Sequence, residues 1–206
     1  MTTTRSRGLG TAVTALVLAV ALGACSGTDE PVDPAGSEET VEAGEAAASE
    51  HDDADTRFAQ MMVVHHEGAI EMAELAVENA SSPEVRELAE RIAAAQGPEI
   101  ETMTGWLEAW GEQASDEADM GGMDHGGMDM EGMSQDQAMD SLAELEGTDF
   151  DRSFLDLMSA HHRGAIEMAE SELDEGTNAD ALALARTIIA DQTAEIAEME
   201  GLLDEL

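Results

Sequence analysis

The sequence contains no lysine and no tyrosine, one cysteine, four prolines, three phenylalanines and two tryptophans. Each shortage closes a class of function. Arginine is the whole basic supply, 8 residues against 47 acids, and the formal net charge is -39 over 206 residues. A chain this acidic repels phosphate backbones, which excludes nucleic-acid partners. One Cys closes no intrachain disulfide and builds no zinc–thiolate cluster. So few aromatics argue against a β-sandwich or barrel. Ala, Glu, Leu and Met, all good helix formers, are plentiful instead, and Met alone numbers 14.

Residues 1–24 read as an address. Arg5 and Arg7 form a positive start, and the apolar run that follows is short for a membrane span. It ends in Leu22-Gly23-Ala24-Cys25, which resembles a bacterial lipobox. That resemblance implies cleavage before Cys25, acylation of its thiol, and a protein held to a membrane outside the cytoplasm. Residues 25–52 are Ser, Gly, Glu, Asp and Ala with Pro31 and Pro34. They cannot bury a core and read as an acidic flexible tether, with His51 solvated at its end.

Behind the tether lies an internal duplication. Phe58, Met62, His65-His66, Gly68-Ala69-Ile70-Glu71-Met72-Ala73-Glu74 recur as Phe154, Met158, His161-His162, Gly164-Ala165-Ile166-Glu167-Met168-Ala169-Glu170. The constant offset also carries Leu88 to Leu184, Ile92 to Ile188, Gln96 to Gln192, Glu99 to Glu195, Met103 to Met199 and Leu107 to Leu203. A repeat of this length is one supersecondary unit copied twice.

Each unit reads as two helices, near 53–78 and 83–110, then 149–175 and 179–205. At the first turn, Asn79 is expected to take a left-handed cap, Ser82 to cap the next helix and Pro83 to fill its first position. Gly176-Thr177-Asn178 is expected to serve the second turn in the same way. Pro98 should bend its helix without breaking it. Two hairpins, 53–110 and 149–206, joined by a linker at 111–148, predict an all-α fold, an antiparallel four-helix bundle. Ser134 and Gln137 form a capping-box pattern that predicts a short linker helix to about Glu146.

Helical periodicity decides what faces inward. Phe58, Met62, His65, Ala69, Met72 and Ala76 form one stripe, flanked by His66, and Glu67, Glu71, Glu74 and Glu78 lie opposite. On the next helix Val85, Leu88, Ile92, Gln96, Glu99, Met103 and Leu107 share a face. Imidazole and carboxyl groups aimed into a core cost several kcal/mol unless hydrogen-bonded or metal-bound. A satisfied polar network, with Glu99 accepting from His65 or His66, is one explanation; a metal site is the other.

The donor types favour a soft metal. Ferritin-like di-iron bundles use Glu-x-x-His. In the same style this chain has Met62-x-x-His65 and Met158-x-x-His161, and the spacing puts thioether and imidazole on one helix face. Thioether suits Cu(I), whereas iron wants carboxylate. The candidate ligands are Met62, His65, His66, Met72, Glu99 and Met103 in one hairpin, with Met158, His161, His162, Met168, Glu195 and Met199 in the other. The linker adds Met120, Met123, His125, Met128, Met130 and Met133 among Gly and acids without helical or strand period. That tract reads as an auxiliary, exchangeable Cu(I) site with no core to fill.

The duplicated His-His-x-Gly-Ala-Ile-Glu-Met-Ala segments at 65–73 and 161–169, with Gln96/Glu99/Met103 and Gln192/Glu195/Met199, resemble the bacterial family called domain of unknown function three-hundred-and-five. The resemblance implies a ferritin-like helical bundle in a secreted or membrane-anchored protein, with copper handling in some members. The leading expectation is an extracytoplasmic lipoprotein, anchored through Cys25, that sequesters or delivers copper, with a copper-transfer partner protein or a second copy as its protein contact. The alternatives are a metal-dependent oxidase of the ferritin-like kind and a metal-free surface interaction module. No catalytic residue is assigned, since no free Cys and no Ser-His-Asp order remain. Changing Met120, Met123, Met128, Met130 and Met133 together to Leu should lower the Cu(I) stoichiometry while leaving the helical circular dichroism intact. Unchanged stoichiometry would remove the tract from the copper reading.

Overall fold

The computed structural model describes residues 50–114 and 133–206. The leader, Cys25, the tether up to residue 49, and Met120, Met123, His125, Met128 and Met130 lie outside the described residues. The fold is all-α: α1 (Asp53–Asn79), α2 (Pro83–Trp110), α3 (Gln135–Ala143), α4 (Gly147–Glu175) and α5 (Ala179–Glu205). α1/α2 and α4/α5 are antiparallel hairpins, and α1 packs against α4 to join them. The four long helices form an antiparallel bundle, and α3 lies against α1 and α4. No described helix is long and apolar enough to cross a membrane.

Local sequence explains the boundaries. Asp52 caps α1 by accepting from the Ala54 and Asp55 amides, while Asp55 accepts from the Asp52 amide. Ser82 caps α2 ahead of Pro83, and Asn178 caps α5. The Ser134/Gln137 capping box opens α3 as expected, but the helix stops at Ala143. Gly147, in the left-handed region at φ 64, then starts α4. α2 runs unbroken through Pro98. The proline supplies no N–H to the Ala94 carbonyl, and Ala94 is exposed, on the solvent side of the helix.

The three phenylalanines, Phe58, Phe150 and Phe154, are all buried. Small residues line the central pair, with Gly68, Ala69, Ala73 and Ala76 on α1 and Gly164, Ala165 and Ala169 on α4 all buried. Short side chains at a helix contact let the backbones approach closely. α3 adds buried Ala138 and Leu142 to the core. Its Gln135 amide donates to the Gly68 carbonyl at 2.8 Å, at a spot where a Cβ on Gly68 would meet the Gln135 side chain. Met133, read above as a member of a tract without a core, is partly buried and packs on this cluster. The tract therefore ends in the bundle, and packing accounts for its last methionine.

The N-terminal caps at the two turns are as expected, but the left-handed C-terminal caps are not formed. Asn79 is helical and its side chain donates to the Leu75 carbonyl; Ala80 and Gly176 both have negative φ. The turn amides are instead taken by carboxylates from the opposite hairpin. Asp151 of α4 accepts from the Ser81 and Ser82 amides, each at 2.9 Å, and from the Ser81 hydroxyl. Asp55 of α1 accepts from the Thr177 amide at 3.1 Å, the Thr177 hydroxyl at 3.1 Å and the Asn178 amide at 2.9 Å. Both aspartates are fully buried. A left-handed glycine cap is unnecessary where a charged acceptor already satisfies the turn. Asp55 and Asp151 are related by the repeat offset, as are Ser81-Ser82 and Thr177-Asn178, so the hairpins clamp each other reciprocally about a pseudo-twofold axis. Truncating Asp151 to Ala should cost about 2–4 kcal/mol in urea unfolding. Glu71→Ala on the solvent face should stay within about 0.5 kcal/mol.

Candidate metal centre

The clamps fix where α1 and α4 cross, and four histidines meet at that crossing. His65, His66, His161 and His162 are 0–4% exposed. The His65 and His161 rings face each other across the hairpin interface with centroids 3.6 Å apart. The second histidine of each pair turns toward its own hairpin partner. His66 Nε2–H donates to Glu99 at 2.8 Å, and His162 Nε2–H donates to Glu195 at 2.6 Å. A carboxylate only accepts, so Nε2 carries a hydrogen, and the other ring nitrogen of each, Nδ1, is buried without a protein partner. That nitrogen is the one left for a metal, held in its tautomer by an outer carboxylate.

The structure thus separates the predicted site residues into two groups. His66 and His162 are wholly buried, while the Glu99 and Glu195 side chains are 19% and 21% exposed at the rim. The glutamates orient histidines from the rim. Met62, Met72, Met103, Met158 and Met199 are fully buried and Met168 nearly so. Their grouping crosses the repeats: Met62 and Met103 share a core cluster with Met168 of the other hairpin, and Met158 and Met199 share one with Met72. In the second cluster the Ser159 hydroxyl lies 3.6 Å from the Met199 sulfur.

Polar atoms inside this layer lack protein partners. Nδ1 of His66, His161 and His162, both side-chain polar atoms of Gln96 and Oε1 of Gln192 are buried without a hydrogen bond. Such a group costs about 1–3 kcal/mol when left unmade, and a cluster of them asks for a bound species. Among the described residues, no three His, Cys, Asp or Glu converge as a metal cage. A cage of those four residue types is therefore not preformed among the described residues.

Electrostatics acts on one of the four, His161. Burial, then the charges of His65, His162 and His66, holds His161 well below its ordinary 6.5. It is a neutral donor at physiological pH. His51, expected to be solvated, is instead stacked on Trp110 with centroids 4.5 Å apart and planes 6° apart. It lies at the α2 end, 3.9 Å from Glu112. Two residues missed by periodicity, Asp55 and Asp151, position the whole layer. Extending the repeat three residues toward the N-terminus from Phe58 would have paired them.

The geometry has relatives. Residues 55–203 match the family described as domain of unknown function (DUF305), and the chain belongs to that family. A DUF305 protein from Streptomyces coelicolor, described as secreted, is 34% identical, with a TM-score of 0.66 over 77% of this chain and 93% of that one. A DUF305 fragment from Deinococcus radiodurans is 30% identical, TM-score 0.66, over 75% of this chain and 98% of its own. CopM in its Cu(II)-bound form is 34% identical, TM-score 0.61, over 73% of this chain and 96% of that one. CopM in its Cu(I)-bound form is 31% identical, TM-score 0.60, with the same coverage. No curated protein matches the chain.

The depressed His161 gives a signed pH dependence for the metal-free protein. The folded state binds fewer protons than the unfolded one below 6.5, so stability falls as pH drops beneath that value. His161→Gln should flatten the acid limb of a pH series of urea midpoints. An equally steep limb in the variant would assign the effect elsewhere.

Proposed function

We propose that this protein binds copper outside the cytoplasm, as a membrane-anchored lipoprotein that sequesters the ion or passes it to a partner protein. The observation that carries the reading is the layer of buried, unpartnered imidazole and amide atoms between two sets of buried methionines. A core built only for stability would fill that layer with aliphatic side chains, which is often the more stable solution. Copper-bound CopM, alike in fold and a third identical to this chain, supports the same reading.

The chemistry assigns each residue a part. His66 and His162 offer Nδ1, oriented by Glu99 and Glu195. His65 and His161 meet on the pseudo-twofold axis and bring the two hairpins to one place. Met62 and Met158, one turn before their histidines, supply thioether on the same helix face, and Met72, Met103, Met168 and Met199 are the further sulfur donors. Soft sulfur with imidazole suits Cu(I) and its analogue Ag(I). The chain's charge of -39 concentrates cations near it. The Met-rich tract would collect ions before they reach the bundle, and acylated Cys25 would keep the whole at the membrane surface. An oxidase reading has less behind it, because Glu99 and Glu195 are each engaged by a histidine.

Competition titration of the full chain with a Cu(I) chelator tests the proposal. Replacing Glu99 and Glu195 by Ala should weaken Cu(I) binding about 10–100-fold, the usual loss when an outer carboxylate is removed. Replacing His66 and His162 by Leu should abolish the bundle site while the helices still form. Unchanged affinity in both variants would leave the metal-free interaction module as the better account.

A further inference from the structure

The two clamps share their bonds to the turn amides and hydroxyl but differ in what stands behind the aspartate. In the second hairpin Glu172 stands where the first has Ala76, and Gly176 stands where the first has Ala80. Gly176 has φ -75 and Ala80 has φ -59, so neither site needs glycine for its backbone. Space explains the difference: a Cβ on Gly176 would collide with the Glu172 carboxyl. The exchange of two small residues for a Glu–Gly pair thus places one extra carboxyl behind Asp55. Glu172 is 2% exposed, and neither of its oxygens receives a hydrogen bond from an N–H or hydroxyl.

Among the described residues, Asp55 holds the same turn: the Glu172 carboxyl lies against Gly176 and the Asp55 carboxyl on the next residue, Thr177. Asp55 already accepts from the amides of Asp52, Thr177 and Asn178 and from the Thr177 hydroxyl. Burial alone would raise Asp55, but the amides of Asn178, Asp52 and Thr177 and the hydrogen bond from Glu172 outweigh it and hold its carboxyl below the ordinary value. Two carboxyls side by side can share one proton and cannot both ionise without strong repulsion. We propose that Glu172 and Asp55 form a proton-operated latch, in which protonated Glu172 donates to ionised Asp55 and loss of that proton frees the α4–α5 turn from the start of α1.

The surroundings set the operating range. Burial first, then the hydrogen bond to Asp55 and the charges of Asp55 and Asp52, push Glu172 up to about 8. Among the described residues, Asp53, Arg57 and Glu175 line the rim of this corner beside Asp52, with Arg57 and Glu175 paired at 3.6 Å, and Asp180 opens α5 just beyond Asn178. Thr177 and Asn178 on the turn are uncharged. The closed latch binds its proton more tightly than the open one, so its hold is full below the ordinary 4.5 and is lost progressively up to about 8. The latch lies at the end of the bundle that holds Phe58, Met62, Met103 and Met168 with Ala181 of α5. Opening it therefore admits water to that methionine set, while the Asp151 clamp keeps the other end shut.

Amide hydrogen exchange of the full chain, followed residue by residue between pH 5 and 9, tests this within one molecule. Dividing the protection of Thr177 and Asn178 by that of Ser81 and Ser82 cancels the intrinsic pH effect. The ratio should fall by up to about tenfold per pH unit below about 8 and level off above it. In Glu172→Gln, whose amide donates to Asp55 at any pH, the ratio should stay flat. A constant ratio in the unmodified protein overturns the latch, with or without a folded variant. The same fall in Glu172→Gln would overturn it as well.

Discussion

Two buried aspartates, one from each hairpin, decide how this molecule is assembled. Each reaches across to the turn of the other repeat and takes its free amides. A helical hairpin with an alanine-lined face could dock in several registers, since small residues give little steric detail. Charged hydrogen bonds to the turns leave one. The register in turn brings the His65 ring against that of His161 and leaves His66 and His162 to their own glutamates. The site is therefore a property of the pair of hairpins, and its centre lies on the axis between them.

That centre is costly as a piece of core. Several of its polar atoms have no protein partner, and depressed basicity at His161 removes the charge that a buried imidazolium would need to neutralise. The same features suit a metal, because a neutral imidazole with a fixed tautomer is a ready donor. The methionines fit this account better than a plain packing role, since they recur at matched positions beside the histidines. Packing does explain some of them: Met133 belongs to the core around α3, and the Met199 sulfur has a hydroxyl neighbour in Ser159.

Much of this was legible in the sequence, and the failures have a common cause. The repeat revealed the hairpins, the helix limits and the inward faces, because helical period and caps are local signals. The pairing of His66 with Glu99 was one of the open possibilities. Periodicity could not show that sulfur donors regroup across the repeats, with Met72 joining Met158 and Met168 joining Met62, because that depends on which helices meet. Asn79 and Gly176 were assigned left-handed caps from their types alone, whereas a carboxylate distant in sequence satisfies those turns. Glu172 was invisible for a related reason: it departs from the repeat, and matched positions drew the attention.

The family relation places the chain among helical DUF305 proteins. The central claim is that copper sits between the hairpins on imidazole and thioether together. X-ray absorption spectroscopy at the copper edge, on Cu(I)-loaded protein whose linker methionines 120, 123, 128 and 130 are leucine, tests it most directly. The account predicts a first shell of mixed nitrogen and sulfur that loses its nitrogen when His66 and His162 are replaced. A shell of oxygen alone, or one that His66 and His162 leave unchanged, would contradict it.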